Sequence, residues 1–93
     1  MKFQKISDPG HGWLKVPVHL IKFLGIHEKI TPYSYVNQSG RFAYLEEDCD
    51  MWKFAEACEK HYIVFEYIHK IVNSTSIRNM DSYRTIQISS KAA

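Results

Sequence analysis

The stretch Tyr44-Leu-Glu-Glu-Asp-Cys-Asp50 decides the fold, because it lies where a strand ends and a helix begins. After it, apolar residues recur at helical spacing: Met51, Phe54, Ala55, Cys58 and Tyr62. We therefore predict a helix that runs from this junction to about His61, with Asp48 or Asp50 as its N-terminal cap.

A β-hairpin is predicted before this junction, from Ile30 to Leu45, with its turn at residues 37–40. The pairing that places Val36 opposite Arg41 puts four aromatic rings on one face of the hairpin: Tyr33, Tyr35, Phe42 and Tyr44. In a small domain such a face usually packs under helices, and we expect that here.

The N-terminal part is predicted to form two short strands, 1–6 and 13–16. They are joined by a turn at residues 7–12, whose glycines are free to adopt positive φ. Pro17 suits the first turn of a helix that ends at Leu24, with Gly25 as its C-terminal stop. Leu20, Ile21 and Leu24 are the predicted buried stripe of that helix.

The C-terminal part is less regular. Residues 63–72 favour a strand because they are β-branched and aromatic, although helical spacing also fits. A polar turn at 73–76 and a short closing segment at 77–86 follow, and 87–93 are expected to form a flexible tail. We predict an α+β fold, with a small, mainly antiparallel sheet packed against two short helices in one compact domain, residues 1–86.

Composition narrows the functional classes. The 93 residues carry 12 lysines and arginines against 10 acids, and a net charge of +2 is too small for a typical nucleic-acid-binding domain. Cys49 and Cys58 would lie on opposite faces of one helix, so they are expected to be free thiols. Without a signal segment or a membrane-spanning apolar run, we expect a cytoplasmic protein that has no membrane partner.

No arrangement for catalysis stands out. The motif Asp8-Pro-Gly-His-Gly12 resembles the opening of zinc-dependent amidases, but the other histidines lack the spacing that would complete a ligand set. Glu46 and Glu47 are neighbours on a strand and would point to opposite faces, so they would not converge on one cation. Carboxylates around Cys49 oppose thiolate formation. We expect no enzyme activity, metal or cofactor.

Two resemblances extend beyond single motifs. Residues 13–26, followed by a hairpin, resemble the AbrB-type swapped-hairpin transcription factors, which implies a dimeric DNA-binding regulator. Segments along almost the whole chain resemble a family of small proteins encoded by bacteriophages and other mobile elements: Asp8–Leu14, Val16-Pro17, Leu24–Ile26, residues 30–35, Tyr44–Asp50, Ile77-Arg78 and Ser82-Tyr83. That family has no assigned activity. The resemblance implies a host cytoplasm as the setting, and small phage proteins often act by binding a host protein.

Our hypothesis from the sequence is a non-enzymatic module that binds a host macromolecule, a protein rather than nucleic acid, through an acidic edge exposed to solvent. The oligomeric state stays open, and an AbrB-like dimeric DNA reader is the alternative. The expected partner-binding residues are His11, Trp13, Glu46, Glu47, Asp48, Asp50, Arg78, Tyr83 and Arg84.

Overall fold

The computed structural model describes residues 1–84, where a six-stranded sheet carries two α-helices on one face. The strands are β1 (Lys2–Ser7), β2 (Gly12–Pro17), β3 (Tyr35–Val36), β4 (Phe42–Glu46), β5 (Glu66–Ile71) and β6 (Asp81–Ser82). The helices are α1 (Val18–Phe23) and α2 (Met51–Lys60). The strand order is β5-β1-β2-β4-β3-β6, and of the strands in the described residues only β1 and β5 are parallel. The predicted α+β fold is confirmed, while the predicted tail, 87–93, lies outside the described residues.

The turn between β1 and β2 is built on the side chain of Asp8. One carboxylate oxygen accepts the backbone N–H groups of Gly10 at 2.9 Å and His11 at 2.8 Å, as turn-forming aspartates commonly do. Neither Gly10 nor Gly12 adopts positive φ, contrary to expectation. Gly12 instead permits a close approach, because a Cβ there would lie 2.5 Å from a carboxylate oxygen of Glu47.

Helix α1 follows the sequence pattern. Pro17 occupies the N-cap position with φ −65°, and Gly25 adopts φ +74° after the helix, where a residue with a Cβ would be strained. Leu20, Ile21 and Leu24 are all buried, as predicted.

The hairpin forms, but its register differs from the predicted one by two residues. Val36 lies opposite Ala43 instead of Arg41. The side-chain oxygen of Asn37 accepts the backbone N–H groups of both Arg41 and Phe42, so the loop is longer than a four-residue turn. Because side chains alternate with a period of two, a shift of two residues leaves each side chain on its predicted face.

The two faces of the sheet carry separate clusters. Helices α1 and α2 cover the aliphatic face, which includes Leu14, Val16 and Leu45. The aromatic face, with Tyr35, Phe42 and Tyr44, packs instead around Trp13 and Ile77. The expectation that the aromatic face lies under the helices is therefore wrong: the smaller aliphatic side chains face the helices, and the segment around Ile77 covers part of the rings.

The C-terminal elements decide between the strand and the helix that the sequence left open for residues 63–72. Residues 66–71 form strand β5, which lies at an edge of the sheet beside β1, and the strand interpretation of this region is confirmed. The closing segment contains a short 3-10 turn, Ile77–Asn79, and strand β6. Within residues 1–84, no helix has the length and apolar character needed to cross a bilayer.

Candidate functional site: a cleft over Trp13

Five of the nine predicted partner-binding residues line one cleft of about 240 Å³ on the aromatic side of the sheet: His11, Trp13, Glu46, Asp48 and Arg78. We call it the Trp13 cleft. Its other walls are Pro32, Tyr33, Tyr35 and Cys49. The sheet explains the convergence, since Trp13 on β2 lies directly opposite Glu46 on β4, and the β1–β2 turn and the 3-10 turn bring His11 and Arg78 to the same end.

Trp13 is an almost fully buried residue of the cleft, with 1% of its surface exposed. Trp13 was predicted as a partner-binding residue, but its side chain belongs to the core cluster on the aromatic face of the sheet. Its indole N–H is buried and finds no hydrogen-bond acceptor among the described residues. A buried donor of this kind usually has a partner, so an acceptor supplied by a ligand or by water would remove an energetic cost.

Arg78 and His11 form a cationic and aromatic cover for Trp13. The imidazole of His11 stacks on the indole with ring centroids 5.9 Å apart, and the guanidinium carbon of Arg78 lies 5.2 Å from the centroid of the indole. Such positioning over a Trp face is favourable for a cation. A guanidinium nitrogen of Arg78 also lies 2.6 Å from Nδ1 of His11, the acceptor if that nitrogen carries no proton.

Asp8 holds this cover in position. Its carboxylate accepts hydrogen bonds from two guanidinium nitrogens of Arg78, at 2.9 and 3.3 Å. Burial acts to raise the pKa of the Asp8 carboxyl, but the backbone N–H groups of His11 and Gly10 and the charge of Arg78 outweigh it, so the pKa is lowered from 3.8. Sequence reasoning missed this role of Asp8, although its place in an Asp-Pro-Gly turn was a signal.

Glu46 also lines the cleft and is buried. One of its carboxylate oxygens accepts the backbone N–H groups of Asp48 at 2.9 Å and Cys49 at 2.8 Å. The carboxylate that satisfies the turn before α2 is thus Glu46; Asp50 occupies the N-cap position of α2, as one of the two predicted residues, but its side chain makes no capping hydrogen bond. Asp48 is exposed at the rim, where its charge faces solvent.

Cys49 lies in the same wall but is a poor nucleophile. A hydrogen bond with Glu46, burial, and the charges of Glu46, Asp50 and Asp48 all raise the pKa of its thiol. The expected effect of the neighbouring carboxylates on Cys49 is confirmed. Both cysteines are free, and Cys58 is buried.

Asp50 is not part of an exposed acidic edge, and its placement corrects the sequence prediction. It is fully buried, and its carboxylate accepts hydrogen bonds from the backbone N–H of Thr31 at 3.1 Å, the hydroxyl of Thr31 at 2.7 Å and the hydroxyl of Ser34. The ammonium of Lys53 lies 2.9 Å from it. A buried carboxylate needs such partners, and here they join α2 to the segment before β3.

The remaining predicted residues lie away from the cleft lining. Glu47 points to the opposite face from Glu46, as expected, and pairs with Lys5 at 3.0 Å. Tyr83 is buried rather than exposed, and its hydroxyl lies 2.7 Å from Nδ1 of His27. Arg84 is exposed but does not line the cleft. Of the four carboxylates predicted to form an acidic edge, Glu46 and Asp50 are therefore buried. Glu47 and Asp48 are exposed, but they lie in different surroundings.

Tyr33 and Tyr35 are two of the four lining residues that sequence reasoning did not assign to the site, with Pro32 and Cys49. Both tyrosines were expected under the helices, but Tyr33 lies in the turn after Pro32 with 70% of its surface exposed. The sequence signal was the Pro32-Tyr33 pair, because a proline inside a run of strand-forming residues marks a turn or an edge.

The cleft combines acidic and basic side chains around the indole of Trp13. The carboxylates of Glu46 and Asp48 line the same cleft as the guanidinium of Arg78, which is already partly neutralised by Asp8. In residues 1–84, no group of three histidines, cysteines or acids is arranged to hold a metal ion. The chain matches no protein-family model, no curated protein and no solved structure, so the site is interpreted from its own chemistry.

Proposed function

We propose that the protein is a non-enzymatic binding module that captures a host protein through the Trp13 cleft and its rim. The observation that carries the proposal is the convergence of aromatic, guanidinium and carboxylate side chains in one cleft, with Tyr33 exposed beside it. Trp, Tyr and Arg are the residue types that dominate binding energy at protein interfaces.

The charges favour a basic segment of the partner. Asp48 is exposed at the rim, and Glu46 places a second carboxylate inside the cleft. Arg78 is bound by Asp8, which reduces its repulsion of an incoming cation. A lysine or arginine of the partner would meet carboxylates and the π-face of the exposed Tyr33.

The residues available for chemistry support a binding role. The thiol of Cys49 is held in its protonated form by its carboxylate neighbours, and His11 is engaged with Arg78 and the indole. The resemblance to small proteins of bacteriophages and mobile elements supports a bacterial host as the setting of the interaction, in the host cytoplasm.

Affinity capture with matched variants tests the proposal. The purified protein is immobilised, nuclease-treated lysates of bacterial hosts are passed over it, and retained proteins are identified by mass spectrometry. We expect a host protein that is retained by the native chain and lost with Asp48→Lys and with Tyr33→Ser. Asp48 and Tyr33 are exposed, so neither change should lower the thermal midpoint.

Two exposed residues outside the cleft serve as controls. Glu59→Lys makes the same charge change on α2, and Tyr62→Ser removes a tyrosine that is 94% exposed. Both should retain the partner. Equal loss of capture in test and control variants, or no protein retained at all, would refute the proposal. In a separate assay with purified duplex DNA and no nuclease, binding that weakens steeply as salt is raised would favour the DNA-binding alternative instead.

A further inference from the structure

Strand β5 offers an open edge that the cleft proposal does not use. Among residues 1–84 it pairs with β1 alone, at one end of the strand order, and all six of its residues are exposed. Apolar side chains are among them: Ile68 is 47% exposed and Ile71 is 86% exposed. An exposed strand edge with apolar side chains is a template for pairing with another strand.

The direction of the peptide groups on this edge is determined by the pairing with β1. The backbone N–H of Glu66 donates to the carbonyl of Met1, and that of Val72 donates to the carbonyl of Ser7, each at 2.9 Å. Because successive peptide groups alternate along a strand, those of Glu66, Ile68 and Lys70 point to β1. The peptide groups of Tyr67, His69 and Ile71 therefore face the open side.

This alternation restricts how two copies of β5 can pair around a two-fold axis. In an antiparallel ladder, a residue whose peptide groups point toward the partner strand lies opposite a partner residue whose peptide groups point back toward it. Each of Tyr67, His69 and Ile71 must then lie opposite one of the same three residues of the second copy. Because these positions are two residues apart, the two-fold axis passes through a residue and not between two residues. The central choices are Tyr67, Ile68 and His69.

Side-chain chemistry selects Ile68. With the axis at Ile68, Glu66 lies opposite Lys70 of the second copy, and the symmetry repeats this opposite-charge pair. Ile68 meets its own copy on the same face, while Tyr67 lies opposite His69 on the other. With the axis at His69, Lys70 would oppose Ile68 and His69 would oppose itself. With the axis at Tyr67, Glu66 would oppose Ile68.

We propose that two copies of the chain associate through antiparallel pairing of β5 with β5, centred on Ile68, to form one continuous sheet of two subunits. The self-complementary order Glu66, Ile68, Lys70 and the outward peptide groups of Tyr67 and His69 provide the contacts. This surface is separate from the Trp13 cleft, so a host protein and a second copy would bind independently.

Sedimentation equilibrium of the full chain up to millimolar concentration tests the association. We expect a reversible dimer for the native protein. Glu66→Lys and Lys70→Glu each replace two attractive cross-strand pairs with two repulsive ones, so each should raise the dimer dissociation constant by about ten-fold or more. The double variant Glu66→Lys with Lys70→Glu restores opposite charges and should dimerise again. A native monomer at all concentrations, or a double variant weaker than both single variants, overturns the proposal.

Cross-linking tests the register. Directly opposite residues of a non-hydrogen-bonded antiparallel pair have Cα atoms about 4.5 Å apart, within the range that a disulfide spans. In a Cys49→Ser background, Ile68→Cys should form an intersubunit disulfide on mild oxidation, whereas His69→Cys, which is offset from its own copy, should not. Cross-linking of His69→Cys without that of Ile68→Cys overturns the assigned axis.

Discussion

The guanidinium of Arg78 lies over the indole of Trp13, with its central carbon 5.2 Å from the ring centroid, while Asp8 binds it from the other side. Residues from the first turn, strand β2 and the closing segment thus meet at one end of the sheet. This contact links the candidate site to the stability of the fold, because the same arginine covers the cleft and attaches residues 77–79 to the β1–β2 turn.

Acid should weaken this attachment. The pKa of Asp8 is lowered in the folded chain, so its contribution to stability is present above the unfolded value of about 3.8 and is lost as the pH falls through the folded value. Asp8→Asn keeps an acceptor for the turn but removes the charge. We expect its unfolding free energy to depend less on pH below about 4 than that of the native protein. Urea unfolding across that range measures the difference, and identical pH profiles would contradict it.

Neighbouring acids should differ sharply in their effect on stability. Asp50→Ala leaves the partly buried Thr31 groups, the buried Ser34 hydroxyl and the ammonium of Lys53 without their acceptor, and should lower the free energy of unfolding by about 3–5 kcal/mol. Asp48→Ala changes an exposed side chain and should cost no more than about 0.5 kcal/mol. Urea unfolding of both variants makes the comparison, and similar losses would show that Asp50 is not a structural centre.

The end of helix α1 should depend on the backbone conformation of Gly25. Its φ of +74° is unfavourable for residues with a Cβ, although a Cβ there would have open space around it. Gly25→Ala should therefore lower the free energy of unfolding by about 1 kcal/mol through backbone strain alone. Gly25→Asn is the control, because asparagine tolerates this conformation better and should cost less. Equal costs for alanine and asparagine would indicate a different cause.

Alkali should destabilise the protein through Tyr83. Burial, with a contribution from the charge of Asp50, raises the pKa of its hydroxyl. The neutral phenol is favoured in the folded chain, so this stabilisation is complete below the unfolded pKa of about 10 and declines as the pH rises above it. Tyr83→Phe should remove that part of the decline, at the cost of the contact with His27 at neutral pH. Thermal midpoints measured between about pH 8 and pH 11 test it, and an unchanged alkaline slope in Tyr83→Phe would contradict it.

Local sequence patterns were enough to predict most elements. Pro17 and Gly25 act through their own backbone preferences, and these mark the ends of α1 wherever the helix packs. The helical spacing after Asp50 and the β-branched and aromatic composition of residues 63–72 predicted α2 and β5 for the same local reason. The sequence predicted five residues of the cleft only as members of a list, without the geometry that brings them together: His11, Trp13, Glu46, Asp48 and Arg78.

What the sequence determined by itself was therefore the identity of the elements and the alternation of side chains along each strand, because both follow from short-range backbone geometry. Only the tertiary structure decided the two-residue shift of the hairpin, the face that packs under the helices, and the direction of each carboxylate. Asp50 lies inside because distant donors, Thr31 and Ser34, offer hydrogen bonds that offset the loss of water, whereas buried Glu46 accepts hydrogen bonds from the backbone of the adjacent turn. A pattern of charges along the chain does not contain those partners, which meet only when the sheet and α2 pack together.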